Sequence, residues 1–146
     1  MSFVNFRAGL AGLSPAYFGM VMATGIVSIA AHLLGFAWLA RSLYALNCAF
    51  YVALWILYLL RLWWHPRAFF QDLFDHLRGP GYFTSIAASG VLGSQTIVLY
   101  GWLSAAFALW CVAIALWLVL TYAIFTILTV KESKPSLDRG INGGWL

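Results

Sequence analysis

Five polar side chains in the first apolar stretch of this chain fall on one side of a helix. At about 100° per residue, Ser14, Tyr17, Thr24, Ser28 and His32 lie within about 80° of one another. In a later stretch Thr84, Ser85, Ala88, Ser89, Gln95 and Thr96 fill about 140°, with Ile86, Ile97 and Val98 largely opposite and Ser94 outside the pattern. Hydroxyls and amides gain nothing by facing lipid, so such faces meet protein or water. Two chemistries fit. The polar groups can be hydrogen-bonding glue between helices. Alternatively they line a path in which hydroxyls, amides and helix-end dipoles stabilise an anion without trapping it. On that second reading the pore-lining candidates are Tyr17, Thr24, Ser28, Thr84, Ser85, Ser89, Gln95 and Thr96. Coupled cation transport usually leaves an Asp or Glu at membrane depth, and none is present in these stretches.

The same stretches carry a second kind of face. Ala16, Gly19, Ala23 and Ala30 form a smooth strip on the side of the first stretch opposite its hydroxyls. Small residues let another helix backbone approach closely, which makes Gly19 and Ala23 candidate packing sites. Gly90 and Gly93 are the corresponding candidates in the later stretch.

The elements that must position these faces are membrane spans. The chain has 146 residues, 64% hydrophobic and only 8% charged, where a soluble domain has about a quarter of its residues charged. No charged residue lies between Arg7 and Arg41, between Arg41 and Arg61, or between Arg78 and Lys131. A crossing helix needs roughly 20 apolar residues. The expected fold is an all-α integral membrane protein, a single membrane domain over 1–146, with four spans as two hairpins. The spans are expected at 15–34, 42–60, 82–99 and 103–130. Between the second and third, "RLWWHPRAFFQDLFDHLRGPG" predicts a short interfacial helix over 67–77. Its apolar face holds Phe69, Phe70, Leu73, Phe74 and Leu77, and Gln71, Asp72, Asp75 and His76 lie elsewhere. Trp63 and Trp64 sit at headgroup depth.

Seven of the eight basic residues, Arg7, Arg61, Arg67, Arg78, Lys131, Lys134 and Arg139, fall on one side of such a topology, and only Arg41 falls on the other. The positive-inside rule then puts both termini in the cytoplasm. The net charge of +4 therefore reflects span ends, not a nucleic-acid surface. The tail 131–146 closes on Gly143-Gly144-Trp145-Leu146, which reads as the entrance to a fifth span, so truncation is expected. Spans one and three are slim and hydroxyl-rich. Spans two and four are bulky, with Tyr44, Asn47, Tyr51, Trp55 and Tyr58 on one stripe and Trp110 and Trp117 on another. That alternation predicts a slim helix facing a polar interior and a bulky one facing outward.

Other chemistry is poorly supported. His32, His65 and His76 are the only obvious cofactor ligands, and they do not face each other at membrane depth as a haem needs. Asp72 and His76 are one helical turn apart, a spacing that fits a solvated face better than a metal site. Cys48 and Cys111 read as small buried hydrophobes. No cofactor, no metal and no enzymatic activity are expected. A small multidrug exporter would need an intramembrane carboxylate. A cofactor-binding membrane protein and a nonfunctional or partner-dependent fragment remain the alternatives.

The stretch "SPAYFGMVMATGIVSIA", with Pro15, Phe18, Met22, Thr24-Gly25 and Ser28, resembles the start of the tellurite-resistance and C4-dicarboxylate transporter family, which includes the plant slow-type, voltage-dependent anion channels. The likeness continues through "GPGYFTSIAASGVLGSQ" and "LTYAIFTILTVKESKPSLDRGINGGWL", and is closest to bacterial members. It implies ten helices in five hairpins, with odd-numbered helices around a central pore. It implies transport of chloride, nitrate, sulfite, tellurite or dicarboxylates such as malate, a bacterial inner membrane location, and in some members a homotrimer.

Overall fold

A computed structural model describes residues 3–130, with side chains from Arg7 onward apart from Leu128; the predicted tail 131–146 lies outside the described residues. Among the described residues every regular element is helical. Four helices are long and apolar enough to cross a membrane: Pro15–Leu33, Ala37–Trp64, Gly79–Tyr100 and Leu103–Ile127.

The first helix, α1 (Phe3–Ala11), precedes a 3-10 turn at Pro15–Phe18 that runs into α2 (Gly19–Leu33). The turn starts because Ser14 is extended and its hydroxyl accepts from the Ala16 amide, while Pro15 fits a first-turn position that needs no N–H. A tight loop follows, in which Gly35 takes φ 86°, a left-handed conformation that side chains other than glycine rarely adopt. The loop delivers α3 (Ala37–Trp64), which starts five residues ahead of the Ser42 expected from charge alone, because the Gly35 reversal lets the helix restart at once.

After α4 (Pro66–Leu73) the plan repeats. A second 3-10 turn, Gly79–Tyr82, leads into α5 (Phe83–Tyr100). Gly101, at φ 67°, reverses the chain, and α6 (Leu103–Val130) follows. Both second helices have 28 residues. The string Pro15-Ala16-Tyr17-Phe18 recurs as Pro80-Gly81-Tyr82-Phe83, and Ala23-Thr24-Gly25 as Ala88-Ser89-Gly90. The two hairpins are copies of one design.

They associate through their first helices. α2 packs against both α3 and α5, and α5 packs against α6. The closest approach is at Gly25, where an added Cβ would lie 2.5 Å from a Val91 methyl and 3.0 Å from the Asn47 amide nitrogen. The two 3-10 turns also touch, with Gly81 permitting contact with Pro15 and Ala16.

The structure corrects three expectations. The bulky α3 stripe does not face outward: Asn47, Leu54 and Tyr58 are buried and Tyr44, Tyr51 and Trp55 half-buried, while Leu46, Val52, Ile56 and Leu59 are exposed. The large rings turn inward because their polar ends find partners on α5 and at the hairpin entrance. The interfacial helix stops at Leu73, not at Leu77. Beyond it, the Asp75 carboxylate accepts from the Leu77 amide at 2.7 Å, a local turn that competes with helix. The cysteines are not both buried. Cys48 is half-buried on α3, and Cys111 is exposed because α6 packs on one side only.

Candidate functional site

Six of the eight polar candidates, all but Tyr17 and Thr24, are placed by side-chain hydrogen bonds among the described residues. Ser28, fully buried on α2, donates to the Ala40 carbonyl of α3 at 2.8 Å. On α5 the hydroxyls of Ser85, Ser89 and Thr96 donate to the carbonyls of Tyr82, Ser85 and Leu92 at 2.7, 2.8 and 2.7 Å. A hydroxyl has one proton to give, so Ser89 and Thr96 are left as acceptors. Tyr51 therefore donates to Ser89 (2.8 Å) and Tyr44 to Thr96 (3.2 Å), both from α3. Between them Asn47 Nδ2 donates to Gln95 Oε1 at 2.8 Å, both residues fully buried. The Thr84 hydroxyl lies 2.7 Å from the Gly81 carbonyl and 3.1 Å from the Pro15 carbonyl, so its one proton is shared between the two hairpin entrances.

The ladder Tyr44–Thr96, Asn47–Gln95, Tyr51–Ser89 runs along the α3/α5 seam. Its physical cause is the shortage of partners in a bilayer, where an unsatisfied polar group is costly and finds another helix instead. Its amides are not fully used, because Asn47 Oδ1 and Gln95 Nε2 have no partner among the described residues. Tyr17 and Thr24 stand apart from the ladder. Tyr17 is 52% exposed and Thr24 half-buried.

The packing candidates divide in the same way. A Cβ added at Gly19 or Gly90 would meet nothing within 4 Å, and Ala23 is exposed. Gly93 faces α6, where an added Cβ would lie 3.5 Å from the Ala106 carbonyl oxygen. The tight site is Gly25, which periodicity alone did not single out. The signal was present in the recurrence of Ala-Thr/Ser-Gly in both first helices.

The exposed surface of α5 has its own character. Gly90 and Ser94 are open and Ala87 is half-open, and Ser89, Gly90, Gly93, Ser94, Ala106 and Trp110 border a notch of about 110 Å³. Gly90 and Ser94 leave the notch room, and Ile97 and Trp110 bound it with larger side chains. Beside it, Gly90, Trp110, Ala113 and Trp117 line a wider groove between α5 and α6. This groove matches the one between α2 and α3 in which α5 itself lies.

A second polar centre was not anticipated. Asp72, expected in a solvated face, is buried and pairs with two arginines. Arg61 Nη2 lies 2.6 Å from one carboxylate oxygen and Arg78 Nη1 2.7 Å from the other. Arg61, assigned from sequence to a membrane-flanking role, is 0% exposed. It also donates to the Ala11 and Ala68 carbonyls at 3.0 and 3.5 Å, and Arg78 donates to the Gly12 carbonyl at 3.3 Å. The end of α1, the end of α3, α4 and the second 3-10 turn are thus tied at one point. The Tyr58 hydroxyl adds a bond to the Ser14 carbonyl. Nearby, Arg7 stacks on Trp64 with its guanidinium carbon 4.9 Å from the ring centre, and the Arg7 carbonyl lies 3.0 Å from His65 Nε2.

No group of three or more metal-ligating side chains occurs among the described residues. Compared with known proteins, residues 12–146 match the voltage-dependent anion channel family. No curated protein and no solved structure gives a match.

Proposed function

The chain belongs to the voltage-dependent anion channel family, a family of anion transport across membranes, and from that premise we propose that α2 and α5 form part of the wall of an anion pathway. The helices α3 and α6 stand behind them. The observation that carries this reading is the one-sidedness of α5. Its hydroxyl and amide face is closed by the α3 ladder, while Gly90 and Ser94 on another face are left exposed. The buried candidates Ser28, Ser85, Ser89, Gln95 and Thr96 then hold the wall in register, and Thr24 and Ser94 are the hydroxyls nearest the path. An anion moving along such a surface meets dipoles and no fixed cation, so it is held weakly enough to leave.

The absence of Arg or Lys from α2 and α5, the helices of the proposed wall, favours small inorganic anions, such as chloride, nitrate, sulfite or tellurite, over C4-dicarboxylates such as malate. Further hairpins of the same plan complete the wall. The assembly is a homotrimer in a bacterial inner membrane. Both termini face the cytoplasm, the side on which Arg7, Arg61, Arg67 and Arg78 gather.

The test is anion flux into liposomes carrying the protein as the cell makes it. Ser94→Trp should remove most of the flux while leaving insertion and helicity intact, and Ser89→Ala should retain it. Unchanged flux through well-folded Ser94→Trp protein would overturn the assignment of this sector to the path.

A further inference from the structure

The two hairpins are held together by their first helices, and their second helices diverge. Where α3 and α6 separate, near the end of the bundle that carries Arg61 and Arg78, they leave a cavity of about 120 Å³. Its walls include Trp55, Leu59 and Leu62 of α3, Phe69 of α4, and Leu116 and Leu120 of α6. Almost all of this lining is apolar. Apolar cavities of roughly 150 Å³ stay dry and take up apolar ligands. Here the solvent outside the cavity is the bilayer, because α3 and α6 are both membrane spans and Leu59 is exposed beside it.

The cavity has a charged end. Tyr58 and Tyr82 also line it, and both are tied to the backbone around the ion network. Tyr58 is one helical turn before Arg61 on the same face. Tyr82 donates to the Phe69 carbonyl at 3.1 Å, one peptide from the Ala68 carbonyl that Arg61 reaches. Two guanidinium groups and one carboxylate leave this network with one net positive charge. The Arg78 side chain is 40% exposed, so it can meet a ligand from the membrane surface. An apolar slot that takes a segment of an acyl chain, at the end of the bundle that carries an exposed guanidinium, matches a phospholipid with an anionic headgroup.

We propose that the slot between α3 and α6 binds one anionic phospholipid of the surrounding bilayer, with an acyl chain against Trp55, Leu59 and Leu116 and its phosphate near Arg78. This goes beyond the transport reading and does not depend on it. The lipid fills the seam that the two hairpins leave open, and so braces them from outside.

Native mass spectrometry of the full protein tests this, in mixed micelles with equal amounts of phosphatidylglycerol and phosphatidylcholine. One phosphatidylglycerol should be retained, preferred over phosphatidylcholine by at least about fivefold, the factor that one basic residue near a headgroup supplies. Leu116→Trp, which fills the slot, should remove the retained lipid of either kind. Arg78→Gln should bring the two lipids to near parity without reducing their total. Leu59→Phe replaces Leu116→Trp if the latter no longer elutes as a single helical species. Absence of retained lipid, equal retention in the native protein, or retention that a well-folded slot-filling variant leaves unchanged would each overturn the proposal.

Discussion

Along α3 the inward stripe reads Tyr44, Asn47, Tyr51, Leu54, Tyr58 and Arg61; along α6 the matching positions read Trp110, Ala113, Trp117, Leu120, Ile124 and Ile127. The first series ends almost every ring and amide in a hydrogen bond to α5 or to the hairpin entrance. The second offers only indoles and hydrocarbon, and its Trp110 and Trp117 remain at least half exposed. In a bilayer apolar surface does little to drive helices together, because lipid is as apolar as leucine. Directional polar pairs therefore fix which residues meet. The α3/α5 seam is the joint that sets register, and the α6 stripe packs its Ala113 and Ile124 by shape alone.

The sharpest difference is Arg61 against Ile127. Arg61 is fully buried and depends on Asp72 for its charge balance. Removing one partner of a buried pair costs about 3–5 kcal/mol, because the other charge stays behind uncompensated. Asp72→Asn should accordingly lower the unfolding midpoint in detergent more than any glycine or ladder substitution. Arg61→Ile combined with Asp72→Leu makes the first hairpin resemble the second and should recover most of the loss. Native stability in Asp72→Asn would mean that this network is not what separates the two hairpins.

A smaller effect is expected where the copies differ in crowding. Gly25 and Gly90 occupy the same place in the two first helices. Gly25→Ala puts a methyl 2.5 Å from Val91 and should cost about 1–3 kcal/mol, the range for overpacking. Gly90→Ala meets nothing within 4 Å and should be neutral. The comparison needs only two unfolding curves. Equal destabilisation would show that Gly90 is covered by another helix in the assembled protein, which counts against placing this sector on the path.

Apolar run length and the spacing of charges made the four helices legible, since a bilayer permits few alternatives to a spanning helix. The hairpin copy was also legible, in the strings Pro15-Ala16-Tyr17-Phe18 and Pro80-Gly81-Tyr82-Phe83. What could not be read was which face met which. Tyr51 looks bulky on a wheel and suggests lipid, yet its hydroxyl is a polar handle on an apolar ring and seeks a partner. The wheel grouped Thr24 and Ser28 without telling that Ser28 is spent on the Ala40 carbonyl. Asp72 was hardest, because helical spacing pairs it with His76. Its real partners lie on α3 and in the turn after α4, and only the fold brings them to it.

The smallest expected effect tests the ladder itself. Tyr51→Phe removes the donor to Ser89 and keeps the ring that packs edge-on against Phe18, 6.2 Å between centres. Ser89 still bonds the Ser85 carbonyl, so no proton is stranded. Interhelical hydrogen bonds in membrane proteins average about 0.6 kcal/mol, and the loss should be of that order. Measuring Tyr51→Phe, Ser89→Ala and the double variant isolates the pair, since the double should lose less than the sum. The matching cycle in the second hairpin, Trp117→Phe with Ser89→Ala, should be additive, because Trp117 has no hydroxyl to share. Coupling of equal size in both cycles would mean that the ladder is not specific to α3, and that register is set by the shapes of the helices instead.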